Sequence, residues 1–346
     1  MQLLGLAGLM ASSILMGQAQ AQTPGPVVIP RDESPHPQDE TEWWYFTGHL
    51  LGIDPSGHTH KYGFDLTFIS ANVLKQAPTA VLYFGQFAIA DLTRGTFTAD
   101  PNVTSIQADV IPPVGGYDNT VGTWHMAGFE SVNNLHASFS DNSYGITLAL
   151  TQWTPPALHG NKGIIPYGVF GTSAYYSYTN LQVSGVVMDH GVPVVVTGIA
   201  WHDHQYGNFG TQAGSWNWFS IQLNNDTQYM LYFLLDASRQ IVQTVGTQVN
   251  PDGSTVNLDP KSFSATPLSF WTSPVTGAKF PVSWQVTVPG GTLTETALLP
   301  NQELVPASFT PGTSYWEGAS AVSGTINGKA VTGQSYIELT PTAVLP

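Results

Sequence analysis

The chain has 346 residues, with 9 Lys and Arg against 23 Asp and Glu, a formal net charge of −14 at pH 7 and no cysteine. So few cations leave no positive footprint for nucleic acid or for an anionic membrane surface, and those partners are excluded first. Charged residues are 9% of the chain while aromatics are 12%, with 35 Gly and 25 Pro; this mix suits short strands, frequent turns and a large aromatic interior, so the expected class is all-β.

The first element is a leader. Met1 to Met16 is apolar apart from Gln2, Ser12 and Ser13, and Ala19-Gln20-Ala21 supplies the small-x-small pattern of a cleavage site. This predicts a secretory signal peptide over 1–21 and a secreted or periplasmic product, although no Lys or Arg precedes the apolar stretch. The apolar run is shorter than the roughly 20 residues that span a bilayer, and no later stretch approaches that length, so no membrane span is expected. Lack of cysteine removes disulfides, thiolate nucleophiles and thiolate metal sites together, so an exported product must rely on its core.

Beyond the leader the chain repeats itself. EWWYFTGHL (Glu42 to Leu50) aligns with SWNWFSIQL (Ser215 to Leu223), matching Trp43 to Trp216, Tyr45 to Trp218, Phe46 to Phe219 and Leu50 to Leu223. Each opens a predicted hairpin, the first through Asp54 to Gly57 into YGFDLTFIS, the second through Asn224 to Asp226 into YMLYFLL. A second echo runs from Val183-Ser184-Gly185 through Gly191 to Thr197-Gly198 and Trp201-His202-Asp203, and again from Val322-Ser323-Gly324 through Asn327-Gly328 to Thr332-Gly333 and Tyr336-Ile337-Glu338. In both copies the aromatic stands three residues after Gly and the carboxylate five. Two β-domains are therefore predicted, over 26–207 and 211–346. The Pro- and Ser-rich stretch from Asn250 to Pro274 is read as a long connection inside the second. No stretch of about 12 residues holds a helical period, whereas alternation is frequent, so antiparallel barrels or sandwiches follow, with the W-x-aromatic first strand pairing with the last strand to close each sheet.

Several segments carry a resemblance: HPQDETEWWYFTGHL (His36 to Leu50), LHGNKG (Leu158 to Gly163), SAYYSYTNLQVSG (Ser173 to Gly185), VTGIAWHDHQYG (Val196 to Gly207), SWNWFSIQL, and Tyr315 to Thr340. They resemble the AttH-like, carotenoid 1,2-hydratase family over nearly the whole chain after the leader. The resemblance implies two lipocalin-like antiparallel β-barrel domains packed together, with a pocket where they meet. Characterised relatives include carotenoid hydratases, a fungal hydratase of a prenylated flavonoid and lipocalin-like cyclases, so the family sets the fold better than the reaction.

Hydrating an isolated alkene needs an acid strong enough to protonate it, a pocket that tolerates a tertiary cation, and water delivered to one face. A buried carboxylic acid among aromatic rings supplies the first two. Strand alternation puts Trp201, Asp203 and Gln205 on one face and His202 and His204 on the other. The resemblance carries the catalytic aromatic-x-Asp motif onto Trp201 and Asp203. The preceding His-x-Trp segment of the hydratases falls on Ala174-Tyr175-Tyr176, which keeps an aromatic as Tyr176 and replaces His by Ala. His159 and His204 are the histidines left to orient water. Glu42 is a second candidate acid; Trp44, Gln205 and Trp218 complete the expected ligand-binding set. Asp203 has a second reading as a structural latch, which its echo Glu338 shares. His202-x-His204 has a spacing that can hold Zn or Cu, but no third ligand can be named and no metal is assigned. No glycine loop opens a helix and no G-x-S-x-G elbow appears, so no cofactor is expected. The expected function is a hydro-lyase that protonates an apolar isoprenoid or prenylated substrate through Asp203, with the cation held by Trp201, Tyr176 and Trp44. A non-catalytic carrier of a lipophilic small molecule and a natural-product cyclase stand as alternatives.

Overall fold

The computed structural model describes residues 24–72, 81–167, 171–209, 215–236, 238–305 and 314–340; the predicted leader lies outside them. The chain divides into two compact units, Ala21–Phe209 and a second from Gly210 onward. Among the described residues the only helical piece is a 3₁₀ turn, Arg31–Glu33, and no helix is long and apolar enough to cross a membrane.

In the first unit the strands are β1 (Thr41–Ile53), β2 (Thr59–Ala71), β3 (Val81–Asp91), β4 (Thr96–Gln107), β5 (Tyr117–Val121), β6 (Trp124–Phe129), β7 (Val132–Ser138), β8 (Tyr144–Thr151), β9 (Ala157–Leu158), β10 (Ile164–Pro166), β11 (Gly171–Asp189) and β12 (Val192–Phe209). They form one sheet in the order β4-β3-β2-β1-β12-β11-β8-β7-β6-β5, with β9 and β10 also paired to β11. The predicted pairing of first and last strands forms, from Thr41↔Gly207 to Ile53↔Val195, but it lies mid-ladder rather than closing the barrel. The ladder ends at β4 and β5. The sheet curls far enough to bring Phe87 of β3 edge-on to Trp124 of β6 at 5.8 Å and against Phe139 at 4.6 Å. Its core face is packed with large side chains, among them Trp44, Phe46, Phe64, Leu66, Phe68 and Tyr176, all fully buried.

The second unit repeats the plan with β13 (Ser215–Leu223), β14 (Gln228–Leu235), β15 (Ile241–Val249), β16 (Thr255–Asn257), β17 (Ser264–Thr272), β18 (Lys279–Val288), β19 (Gly291–Ala297), β20 (Glu303–Leu304), β21 (Tyr315–Ile326) and β22 (Lys329–Leu339). Their order is β16-β15-β14-β13-β22-β21-β19-β18-β17. Phe219 of β13 reaches Trp284 of β18 edge-on at 5.2 Å, so this sheet curls too. The two sequence echoes meet in each unit: Tyr45 faces Asp203 across β1 and β12, and Trp218 faces Glu338 across β13 and β22. Both units are thus lipocalin-like.

The stretch from Asn250 to Pro274 is not one long connection, since it carries β16 and β17. Strand β17 is the end of its ladder and mostly exposed, with its register broken beside Pro267. An exposed edge strand tolerates Pro and lacks the buried alternation by which strands are recognised.

Candidate functional site

Two buried polar networks lie back to back on the central strands β1, β12 and β11. On one face of β12 stand Trp201, Asp203 and Gln205. Strand β11 places Ser177 directly opposite Asp203, and Tyr175 opposite Gln205. Asp203 accepts a hydrogen bond from the Tyr175 hydroxyl at 2.7 Å, from the Trp201 indole N–H at 2.6 Å and from the Ser177 hydroxyl. The Ser177 proton is committed to Asp203, so His159 Nε2 donates to the Ser177 oxygen, at 2.6 Å. Pairing of β9 with β11 sets His159 there, its backbone N–H on the Tyr175 carbonyl at 3.1 Å. Gln205 donates to the Tyr167 and Ser173 hydroxyls, both at 2.8 Å. Burial pushes the Asp203 carboxyl up to about 7 although its three donors favour the ionised form. Burial pushes His159 down to about 3, which keeps its imidazole neutral.

The core face carries the second network. Glu42 Oε1 meets His36 Nδ1 at 2.8 Å and His204 Nε2 at 2.7 Å, while Oε2 accepts the His36 backbone N–H at 2.7 Å. His204 Nδ1 lies 3.1 Å from the Tyr176 hydroxyl, and the ring stacks on Trp44 at 4.7 Å. His36 stacks on Tyr206 at 3.5 Å. Burial works to raise the Glu42 carboxyl, but His36 and His204 outweigh it and hold the carboxyl below its ordinary value. Burial works to lower His36 and is outweighed by Glu42, so its imidazole is raised; His204 is lowered, burial prevailing over Glu42. His202 stacks on Phe46 at 4.0 Å, donates its Nδ1–H to the Tyr45 carbonyl at 3.1 Å, and leaves Nε2 without a partner. Burial lowers it to about 3.

The family profile described as AttH-like matches residues 20–342. The chain belongs to the AttH-like family. Among solved structures it is similar to a protein described as an AttH from Nitrosomonas europaea, with 26% identity, coverage of 93% of this chain and 99% of that one, and a TM-score of 0.77. It is similar in fold to kievitone hydratase from Nectria haematococca, with 16% identity, coverage of 94% and 97% and a TM-score of 0.70. A third match, CghA, has 12% identity, coverage of 95% and 97% and a TM-score of 0.53. Comparison with curated proteins finds no match.

In this AttH-like chain the residues expected to act together separate onto the two faces. Trp201, Gln205 and His159 stand on Asp203's side. Tyr176, Trp44, His204 and Glu42 do not, because each belongs to the opposite parity of its strand and joins the core face. The grouping of Trp201, Tyr176 and Trp44 around one cation is therefore corrected: the rings beside Asp203 are Trp201 and Tyr175, while Tyr176 and Trp44 lie on the core face. Trp218 belongs to the second unit, opposite Tyr232 and Glu338. His202 and His204 do share a face, but the donor set that forms there is His36, Glu42 and His204, whose ligand atoms all lie within 4.8 Å of one another. No local pattern in the sequence singles out Tyr175, Ser177 or His36. The Tyr175-Tyr176 doublet offers an aromatic to both faces, and only the β11–β12 register decides which one meets Asp203. His36 sits in a loop with no period to betray it.

Proposed function

We propose that this AttH-like protein is an exported hydro-lyase that adds water to, or removes it from, an apolar isoprenoid or prenylated small molecule. The observation that carries the proposal is the setting of Asp203: a buried carboxyl enclosed by Trp201, Tyr175 and Ser177, with His159 one hydrogen bond behind. In the hydration direction the Asp203 carboxyl transfers its proton to the less substituted alkene carbon. The tertiary cation that results is stabilised by the indole and phenol faces of Trp201 and Tyr175. Water adds to the cation, and the proton it loses returns to the Asp203 carboxylate, so one water is consumed and the carboxyl is restored. Ser177, held between the neutral His159 imidazole and Asp203, fixes the orientation of the carboxyl that gives up and regains the proton. Dehydration is the same path reversed. The fold shared with kievitone hydratase, whose name is that of a hydratase, supports this class of reaction, and the leader predicted over 1–21 supports export.

The test is incubation of the purified protein with prenylated phenols and acyclic isoprenoids in heavy-oxygen water, read by mass spectrometry. A product gaining one labelled water, lost in folded Asp203→Asn, is the expected result. An internal ring closure without label assigns the cyclase reaction, and bound compounds recovered unchanged from active-folded protein assign a carrier; either contradicts the hydro-lyase.

A further inference from the structure

We infer that His36, Glu42 and His204 form a binding site for one divalent transition-metal ion of the zinc class. This site lies on the face of β12 opposite Asp203 and does not depend on the reaction proposed above.

Two imidazole nitrogens and one carboxylate oxygen already converge, with His36 Nδ1 and His204 Nε2 both against Glu42 Oε1 at 2.8 and 2.7 Å. Ligand atoms around a tetrahedral zinc, each about 2.0–2.1 Å from it, lie about 3.3 Å from one another. The two nitrogen-to-oxygen contacts must open by about half an ångström, and the two nitrogens, within 4.8 Å of each other, must settle at the same spacing, to admit the ion. Two histidines and one carboxylate leave a fourth position free, the donor set of a binding centre for zinc or its first-row neighbours rather than for calcium or magnesium.

The surroundings are already those of a held ligand set. Backbone N–H of His36 occupies Glu42 Oε2 at 2.7 Å, which leaves Oε1 as the coordinating atom. Tyr176 sits on His204 Nδ1 at 3.1 Å; a hydroxyl can donate to that nitrogen in the metal-free protein and accept its N–H once Nε2 is bound, so the ring orientation survives either way. Trp44 and Tyr206 stack on the two imidazoles and fix their planes. Asp32, Asp39 and Asp109 are within electrostatic reach, and Arg31 is paired with Asp32, so these neighbours favour a cation. The His36 side chain is 14% exposed and Glu42 is 1% exposed, which gives an ion a way in to an otherwise buried site. The second unit, built on the same ladder, has Ser215 and Leu339 at the places equivalent to Glu42 and His204; the fold itself does not demand these ligands.

A rival donor set exists at the β1–β2 turn, where His58 and His60 reach Asp54 Oδ2 at 3.3 and 3.1 Å, and the experiment separates the two. The full chain, stripped with chelator, is titrated with Zn²⁺ and its stoichiometry measured after gel filtration. One equivalent per chain is expected, unchanged in His58→Gln and bound at least about tenfold more weakly in His36→Gln. The chain has no cysteine, so His36→Cys loaded with Co²⁺ should show a thiolate-to-metal charge-transfer band that the wild type lacks. The inference is overturned if the folded wild type holds no zinc, if His58→Gln abolishes binding, if folded His36→Gln binds as the wild type does, or if folded His36→Cys binds Co²⁺ without that band. The wild-type and His58→Gln outcomes stand whether or not the position-36 variants fold.

Discussion

Two units share a ladder order in which first and last strands pair at the centre, the second ladder being one strand shorter, and they differ in what they place on that central pair. In the first, β1 and β12 carry Glu42, Trp44, His202, Asp203 and His204; in the second, the equivalent places on β13 and β22 are Ser215, Asn217, Ile337, Glu338 and Leu339. Ile337 and Leu339 are buried in the second core, so aliphatic side chains fill the places that imidazoles take in the first. The ladder can be built without those histidines, and the polar set of the first unit is chemistry added to a fold that does not need it. Only the carboxylate recurs, and in different surroundings: Asp203 is fully enclosed by three donors, whereas Glu338 is half-buried.

The comparison extends to buried charge and can be broken there. In the first unit Arg94 joins Asp91 and Asp189, two carboxylates almost without exposure, with the Tyr62 and Tyr144 hydroxyls completing the network. Arg94→Ala leaves Asp91 without its cation and Asp189 with only its His190 and His60 contacts; because the guanidinium is 44% exposed, unfolding stability is expected to fall by about 2 kcal/mol in denaturant titrations. In the second unit Glu295 lies alone in the core, with one hydrogen bond, from Ser335 at 2.6 Å, and Oε1 unpartnered. Burial raises its carboxyl from an ordinary 4.5 to about 8. The unfolded chain thus releases this proton before the folded one does, and the contribution to stability is whole below about pH 4.5, falls as pH rises, and is lost by about pH 8. Glu295→Gln should gain stability relative to the wild type between pH 5 and pH 8; a constant difference across that range would refute the assignment. The smallest effect is expected at His202, whose Nε2 has no partner: His202→Ile, which writes the second unit's residue into the first, should change stability by no more than about 1 kcal/mol. A larger loss measured by the same titration would mean that the imidazole is part of the fold after all.

How much of this was readable depended on period and proximity. The hairpins β1–β2 and β13–β14 and the strand pairs β11–β12 and β21–β22 follow from alternation bounded by Gly, Asn and Asp turns, and their doubling exposes the repeat. The shared face of Trp201, Asp203 and Gln205 is legible because one strand's parity decides it. The face of Tyr176 is not legible, because a Tyr doublet carries no parity and choosing between Tyr175 and Tyr176 requires the register of β11 against β12. His36 is beyond any local rule, since its place is set by stacking on Tyr206 and by Glu42 six residues on. The seam between β4 and β5 is likewise a property of the whole curled sheet.

We propose that the recurring carboxylate is reactive in the first unit and only structural in the second. Folded Asp203→Asn and Glu338→Gln should be compared with the wild type for incorporation of labelled water into a prenylated substrate. A loss of about 100-fold or more in turnover is expected for Asp203→Asn, and wild-type turnover for Glu338→Gln. Full turnover in folded Asp203→Asn, or equal losses in both, would contradict it.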